Sequence, residues 1–181
     1  MKTKNKNFLE NDSIYLRSVQ VTDLEGNYKN WLNDPDVNFH NNHCRFPVSI
    51  NQLTDYVQNK NTSSTDLFLA IIEKSNNIHI GNIILQNINW IDRSAEIAFL
   101  LGEKNYWSKG FMYSAGQLLI NHAFTQLNLH RIYLATSSTN IGMQKLAIKL
   151  GFVKEGERID AQYKNGNYNN IIEYGKIKKY V

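Results

Sequence analysis

The chain has 181 residues and a single cysteine, Cys44. One thiol excludes an internal disulfide framework and any cysteine-cluster metal site. No apolar run approaches the roughly 18 residues that a membrane-spanning helix needs. The opening "MKTKNKNFLENDS" lacks the apolar centre of a signal peptide, so the expected compartment is the cytoplasm, with no membrane partner. Internal repeats, linkers and low-complexity tracts are missing as well. Neither G-x-G-x-x-G nor G-x-x-x-x-G-K-[ST] is present, so dinucleotide and P-loop readings lack their fingerprints.

What is there is ordinary for a globular protein: 42% hydrophobic, 20% charged and 12% aromatic residues. The length fits one domain with a substantial core. We read residues 1–12 as an N-terminal tail and 13–181 as that domain. The formal charge is +4, but Lys2, Lys4, Lys6, Lys176, Lys178 and Lys179 sit at the two ends without acidic neighbours. Removing those six charges leaves −2 over residues 7–175. Solvated tails account for the basicity, and no clustered stripe on the fold calls for nucleic acid.

Periodicity divides the chain. "IYLRSV" at 14–19 reads as a strand. "TDLEGNYKNWLND" reads as a helix capped by Thr22, with Glu25 closing a capping box and Pro35 ending it. "SINQLTDYVQNK" reads as a second helix, capped by Ser49, with Leu53, Tyr56 and Val57 on one face. "DLFLAIIEK", "IHIGNIILQNI" and "AEIAFLLG" then form a three-strand meander. Residues 110–127 are helical, with Phe111, Ala115, Leu118, Leu119, Phe124 and Leu127 on the apolar face. "HRIYLATSS" is a strand, "NIGMQKLAIKL" a helix ended by Gly151, and "FVKEGERID" a strand. Asn165-Gly166 turns the last hairpin. The order β-α-α-β-β-β-α-β-α-β-β predicts an α/β domain with a mixed sheet. The strand–helix–strand crossover over 95–137 calls for local parallel pairing.

One stretch poses a chemical question. In "KNYWSKGFMYSAGQLL" a helix begins at Gly110 with no ordinary capping side chain before it. A helix start carries unpaired amides and a positive dipole end. Strand, loop, glycine and helix in that order make a candidate anion site.

The succession "YWSKGFMYSA", Asn140, "KLGF" at 149–152 and "EGERIDAQYKNGNY" resembles the GNAT N-acetyltransferases, particularly their ribosomal-protein and spermidine branch. That branch carries "yWGKGyatEA", an Asn before a helix ending "klGF", and "EG…NGxY". The likeness spans nearly the whole chain, from "YLRSVQVTDLE" and "WLNDPDV" onward. It implies acetyl-CoA as co-substrate. Its pyrophosphate would lie on the amides of Ser108, Lys109, Gly110, Phe111, Met112 and Tyr113. Its pantetheine arm would run along Phe99, Leu100 and Leu101 like an added strand, and Asn140 would contact it near the following helix.

Four positions depart from the family pattern. Ser108 stands for a glycine, Met112 for a small residue, Ser114 for a first-turn glutamate, and Ala147 for the tyrosine that serves many relatives as general acid. Tyr113 and Ser137 are the candidate replacement hydroxyls, Tyr133 reads as core or surface, and no acid is assigned. Glu96 matches a position where relatives place a carboxylate facing the acceptor, which makes it the candidate general base. His40 and His43, in the loop between the first two helices, border that cleft but form no metal set. Trp31 and Trp107 read as packing residues. Asp34 and Asp36 read mainly as a helix stop that a cationic acceptor could also use.

The expected function is direct acetyl transfer to a primary amine of a small molecule, an amino-sugar nucleotide or a polyamine. A protein N-terminal α-amine and a non-catalytic acyl-CoA-binding module stand as alternatives. The edges of the terminal hairpin permit a homodimer.

Overall fold

The computed structural model describes residues 7–42 and 45–179. His43 and Cys44 lie outside the described residues. The core is one sheet in the order β1-β2-β3-β4-β5-β6-β8-β7. Its strands are β1 (Leu9–Glu10), β2 (Ile14–Ser18), β3 (Leu67–Glu73), β4 (Ile78–Asn89), β5 (Ser94–Leu101), β6 (Arg131–Ser137), β7 (Val153–Lys164) and β8 (Asn167–Ile177). The β3–β5 meander and the β7–β8 hairpin occur where alternation and turn residues predict them. The β5–β6 pair is the parallel one, as the intervening helix requires. Strand β1, within the predicted tail, was not legible: two residues pairing with β2 leave no periodicity to read.

Helices cover both faces. On one face lie α3 (Phe111–Thr125) and α4 (Ile141–Lys149), over a core that includes Ile83, Ile97, Leu119 and Ile132. On the other lie α1 (Tyr28–Trp31) and α2 (Ile50–Thr62), over Tyr28, Trp31, Leu53, Val57, Phe68 and Ile84. Ser49 caps α2 in a reciprocal box with Gln52, as expected. Leu53 and Val57 are buried, while Tyr56 on the same helix remains 40% exposed.

The first predicted helix needs correction. Val21–Glu25 is a 3-10 turn that ends at Gly26, and α1 is a single turn beyond it. Its cap is Gln20 with Asp23, not Thr22 with Glu25. Arg17 explains the shift: its guanidinium grips both Asp23 carboxylate oxygens, at 2.8 and 2.6 Å, and fixes Asp23 as the third residue of the turn. Lys176 is also not a solvated tail residue. It lies on β8, its ammonium donates to the Leu150 carbonyl at the end of α4, and burial lowers its pKa.

Alternation along β5 sends Ile97, Phe99 and Leu101 toward α3, and Ala98 and Leu100 toward α1 and α2. Glu96 shares the latter face by the same parity. The end of β5 is tied to α1 through Trp31, whose indole donates to Glu103 at 3.1 Å. A Cβ on Gly102 would meet the Trp31 ring at 1.9 Å. Gly102→Ala is therefore expected to lower stability by about 1–3 kcal/mol in urea unfolding. Wild-type stability would mean the Trp31 ring moves aside without cost.

Candidate active site

Strands β5 and β6 stay together for three pairs only, Ser94–Arg131, Ala95–Ile132 and Glu96–Tyr133. Beyond Glu96 they part, although β5 continues to Leu101 and β6 to Ser137. A cleft of about 1530 Å³ opens at this fork. Single small-molecule sites usually occupy about 300–1000 Å³, so the space suits two substrates together.

One half of the cleft is lined by Phe99, Leu100 and Leu101 of β5, by Ser108, Gly110, Phe111, Met112 and Tyr113, and by Asn140, Met143, Leu146 and Lys149. Gly110 is the N-cap of α3 in the left-handed conformation, φ 86°, and has no side chain to offer. The first turn closes with Ser114 N–H on the Gly110 carbonyl at 3.1 Å. Among the described residues, no side chain accepts from the amides of Phe111, Met112 and Tyr113. Ser108 is left-handed too, φ 60°. A serine thus holds the backbone shape for which the family pattern has glycine, at a strain of roughly 1–2 kcal/mol.

Lys149 lines the cleft, and Lys109 immediately precedes Gly110 in the chain without being among the lining residues. Lys149 Nζ lies 4.4 Å from the Tyr113 ring centre, and Lys109 Nζ lies 5.7 Å from that of Tyr106. Lys149 was not picked out from sequence, since a lysine in the last turn of a helix is first a dipole partner. Asn140 caps α4 by accepting from Met143 N at 3.1 Å. Trp107 does more than pack: its indole donates to the Leu101 carbonyl at 2.9 Å and folds the 102–107 loop against the strand end.

The other half is lined by Tyr28, Val37, Phe39, His40, Phe46, Leu53, Tyr56, Phe68, Ile84, Gln86 and Glu96. Glu96 sits at the fork. It accepts from Gln86 Nε2 at 3.1 Å and from Asn87 Nδ2 at 3.2 Å. A bulge in β4 between Gln86 and Asn89, with Asn87 at φ 54°, accompanies that second contact. Among the described residues, no lysine, arginine or histidine pairs with Glu96. Tyr133 faces it in register on β6. Burial first, and the Glu96 charge second, raise the Tyr133 pKa and keep the phenol protonated.

His40 borders the cleft as predicted, its Nδ1 lying 3.4 Å from Thr139 Oγ1, and burial lowers its pKa. Asp34 and Asp36 are both bridged by Lys104, at 2.9 and 2.6 Å. One ammonium between two carboxylates leaves this cluster a net charge of −1. Among the described residues, no three His, Cys, Asp or Glu side chains converge to hold a metal.

Of the candidate hydroxyls, Tyr113 accepts from Gln117 at 2.7 Å, and Ser137, only 2% exposed, contacts Thr139 at 2.9 Å. Ala147 is fully buried within the α3–α4 core. Ala147→Tyr is therefore expected to overpack that core and cost about 1–3 kcal/mol, without raising turnover. A variant with unchanged melting temperature and faster turnover would show that the site has room for a tyrosine acid.

Residues 13–153 match the acetyltransferase (GNAT) domain family. An uncharacterized N-acetyltransferase of Bacillus licheniformis is 30% identical over 175 residues, 94% of this chain and 96% of that protein. The crystal structure of a spermidine N-acetyltransferase from Vibrio cholerae, in complex with CoA and spermine, superposes with a TM-score of 0.84 at 24% identity, covering 92% of this chain and 96% of the other. A ribosomal-protein α-N-acetyltransferase in complex with coenzyme A gives a TM-score of 0.82 at 18% identity, covering 92% and 95%. No described helix is long and apolar enough to cross a membrane. With its family matched over most of its length and its fold shared with solved members, the chain belongs to the GNAT acetyltransferases.

Proposed function

We propose that this enzyme moves the acetyl group of acetyl-CoA directly to the primary amine of a small molecule, with both substrates bound together at the β5–β6 fork. The observation that carries this reading is the fork itself: an unpaired strand edge and an uncapped helix start open on one side of Glu96, and a separate lined space on the other. The first-turn amides of α3, with Lys109 and Lys149, would hold the pyrophosphate. The edge of β5 at Phe99–Leu101 would hydrogen-bond the pantetheine arm. Since Asn140 Oδ1 already caps α4, its Nδ2 is the atom left for a cofactor contact.

The amine nitrogen attacks the thioester carbonyl, a C–N bond forms, and the C–S bond breaks. Glu96 takes the amine's proton, directly or through a water. A backbone N–H of β5 stabilises the oxyanion, and the thiolate takes a proton from water. Gln86 and Asn87 keep the Glu96 carboxylate oriented toward the fork by donating to one of its oxygens. A protein N-terminal α-amine is the alternative acceptor.

Acetyl-CoA is expected to raise the melting temperature, increasingly as its concentration exceeds its dissociation constant. Gly110→Val should abolish that rise, because valine disfavours φ 86° and adds bulk beside the amides. An undiminished rise in this variant would remove Gly110 from the site. Glu96→Gln should lower kcat by roughly 10² or more while leaving the acetyl-CoA-induced rise in place. Part of the loss should return at higher pH, where more of the amine is already neutral. Wild-type turnover of Glu96→Gln across the pH range would exclude Glu96 as the base.

A further inference from the structure

We infer that Gln162 is a specificity-determining residue: its carbonyl oxygen accepts a hydrogen bond from a second N–H or O–H group of the amine acceptor. This rests on the acetyl-transfer reading above and adds to it a requirement on the acceptor. An unpaired atom, a fixed amide orientation and a bulge carry it together.

Among the described residues, two buried side-chain polar atoms lack a hydrogen-bond partner, Asn82 Nδ2 and Gln162 Oε1, and both residues line the cleft. A buried polar atom left unpaired is costly, so such atoms are rare and call for a reason. Asn82 has the Tyr28 phenol within its reach. Gln162 Oε1 has no such neighbour: the residue is 7% exposed, and the oxygen is closed to bulk water.

The other end of the amide fixes its orientation. Gln162 Nε2 donates to the His40 carbonyl and to Asn42 Oδ1, both at 3.2 Å. Asn42 Oδ1 also accepts from the Arg45 guanidinium at 3.0 Å, which identifies that atom as an acceptor. Turning the Gln162 amide over would set its oxygen against two oxygens. Both hydrogens of Nε2 are therefore used, and Oε1 is left with acceptor capacity alone.

The strand that bears Gln162 is bent at this point. From Arg158 to Gln162, β7 takes four steps while β8 takes two, from Ile171 to Asn169. Asp160, within this bulge, is left-handed at φ 47°, a conformation that costs a residue with a side chain. Ala161 and Gln162 both line the cleft, although regular alternation would turn neighbours to opposite faces. Bulges beside sites re-aim side chains in this way. The partners of Gln162 at 40–42 lie in turn and bend, not in helix or strand, so a small shift there admits a donor to Oε1. A hydroxyl or a second amino group on the acceptor supplies such a donor. A plain alkylamine supplies none.

Amine-dependent thiol release from acetyl-CoA by the full chain tests this with matched acceptors. Linear amino alcohols of increasing length are compared with their methyl ethers, which keep the oxygen and lose the donor, and with diamines of equal length. At the best length, the alcohol or the diamine should exceed the ether in kcat/KM by roughly tenfold or more. Whichever of the two leads shows whether the donor is a hydroxyl or an ammonium. Gln162→Met should erase that preference by lowering kcat/KM for the donor-bearing amine, while the acetyl-CoA-induced rise in melting temperature persists. A wild-type enzyme that treats ether and donor-bearing amines alike overturns the inference, whether or not Gln162→Met folds. So does a preference that survives Gln162→Met, or an equal fall for every amine, which a residue that only holds the wall would give. Loss of the acetyl-CoA-induced rise in Gln162→Met assigns the residue to the cofactor and overturns the inference too. Each of these results leaves acetyl transfer standing. Acetyl-CoA binding with no amine accepted overturns the transfer reading and this inference with it.

Discussion

The parting of β5 from β6 is the constraint on which the rest depends. Three parallel pairs hold the strands together as far as Glu96, and the next residues of β5 lose their neighbour on that side. A strand edge inside a sheet is costly to leave unpaired. Here it persists because the surroundings are fixed independently. Strand β4 pairs with β5 through Leu101 on the other side, β8 pairs with β6 through Ser137, and Trp107 ties the following loop to Leu101. The fork is thus held open by its outer neighbours, with the α3 amides brought to its mouth by the same loop.

Charge is distributed to the same end. Several acidic groups have a cationic partner: Asp23 has Arg17 and Glu173 has Arg158, while Asp34 and Asp36 share Lys104 and keep one net negative charge. Asp23 sits below the usual carboxylate range, although burial, the largest influence on it, pushes upward; the Arg17 contact and the Gln20 amide outweigh it. That balance favours the folded state above the unfolded pKa of an aspartate and is lost as pH falls through the lowered folded value. Glu96 differs in kind. Its partners are neutral amides, which orient a carboxylate without consuming its charge.

The sequence made the fold legible wherever a local rule agreed with the tertiary demand. Ser49 with Gln52, Asn165-Gly166, and the alternation of the meander each produced the element they imply. Gly110 was legible for the same reason, since no side chain before the helix could cap it. The errors fall where a distant partner decides. Thr22 offered a good local cap, but Arg17 on β2 drew Asp23 into that role. Lys176 read as tail until its reach to Leu150 on α4 was visible. Lys104 bears no sequence mark linking it to Asp34 and Asp36, some seventy positions earlier. The position of Glu96 came from family pattern, whereas its exclusive amide partners come from a bulge that periodicity cannot show.

Ala147 is the departure that most affects the chemistry, and its burial states how the reaction can proceed without a tyrosine there. A thiolate needs less help to leave than an alkoxide, because a thiol's pKa lies at about 8.5, much nearer to neutrality. Removing an acid from a thioester site therefore forfeits less than removing one from an ester site would. The demanding requirement is at the nucleophile, since an ammonium has no lone pair with which to attack. The arrangement is in keeping with that asymmetry: a bulge, two amides and a strand junction hold one carboxylate at the fork, and packed core fills the position where the family pattern has tyrosine.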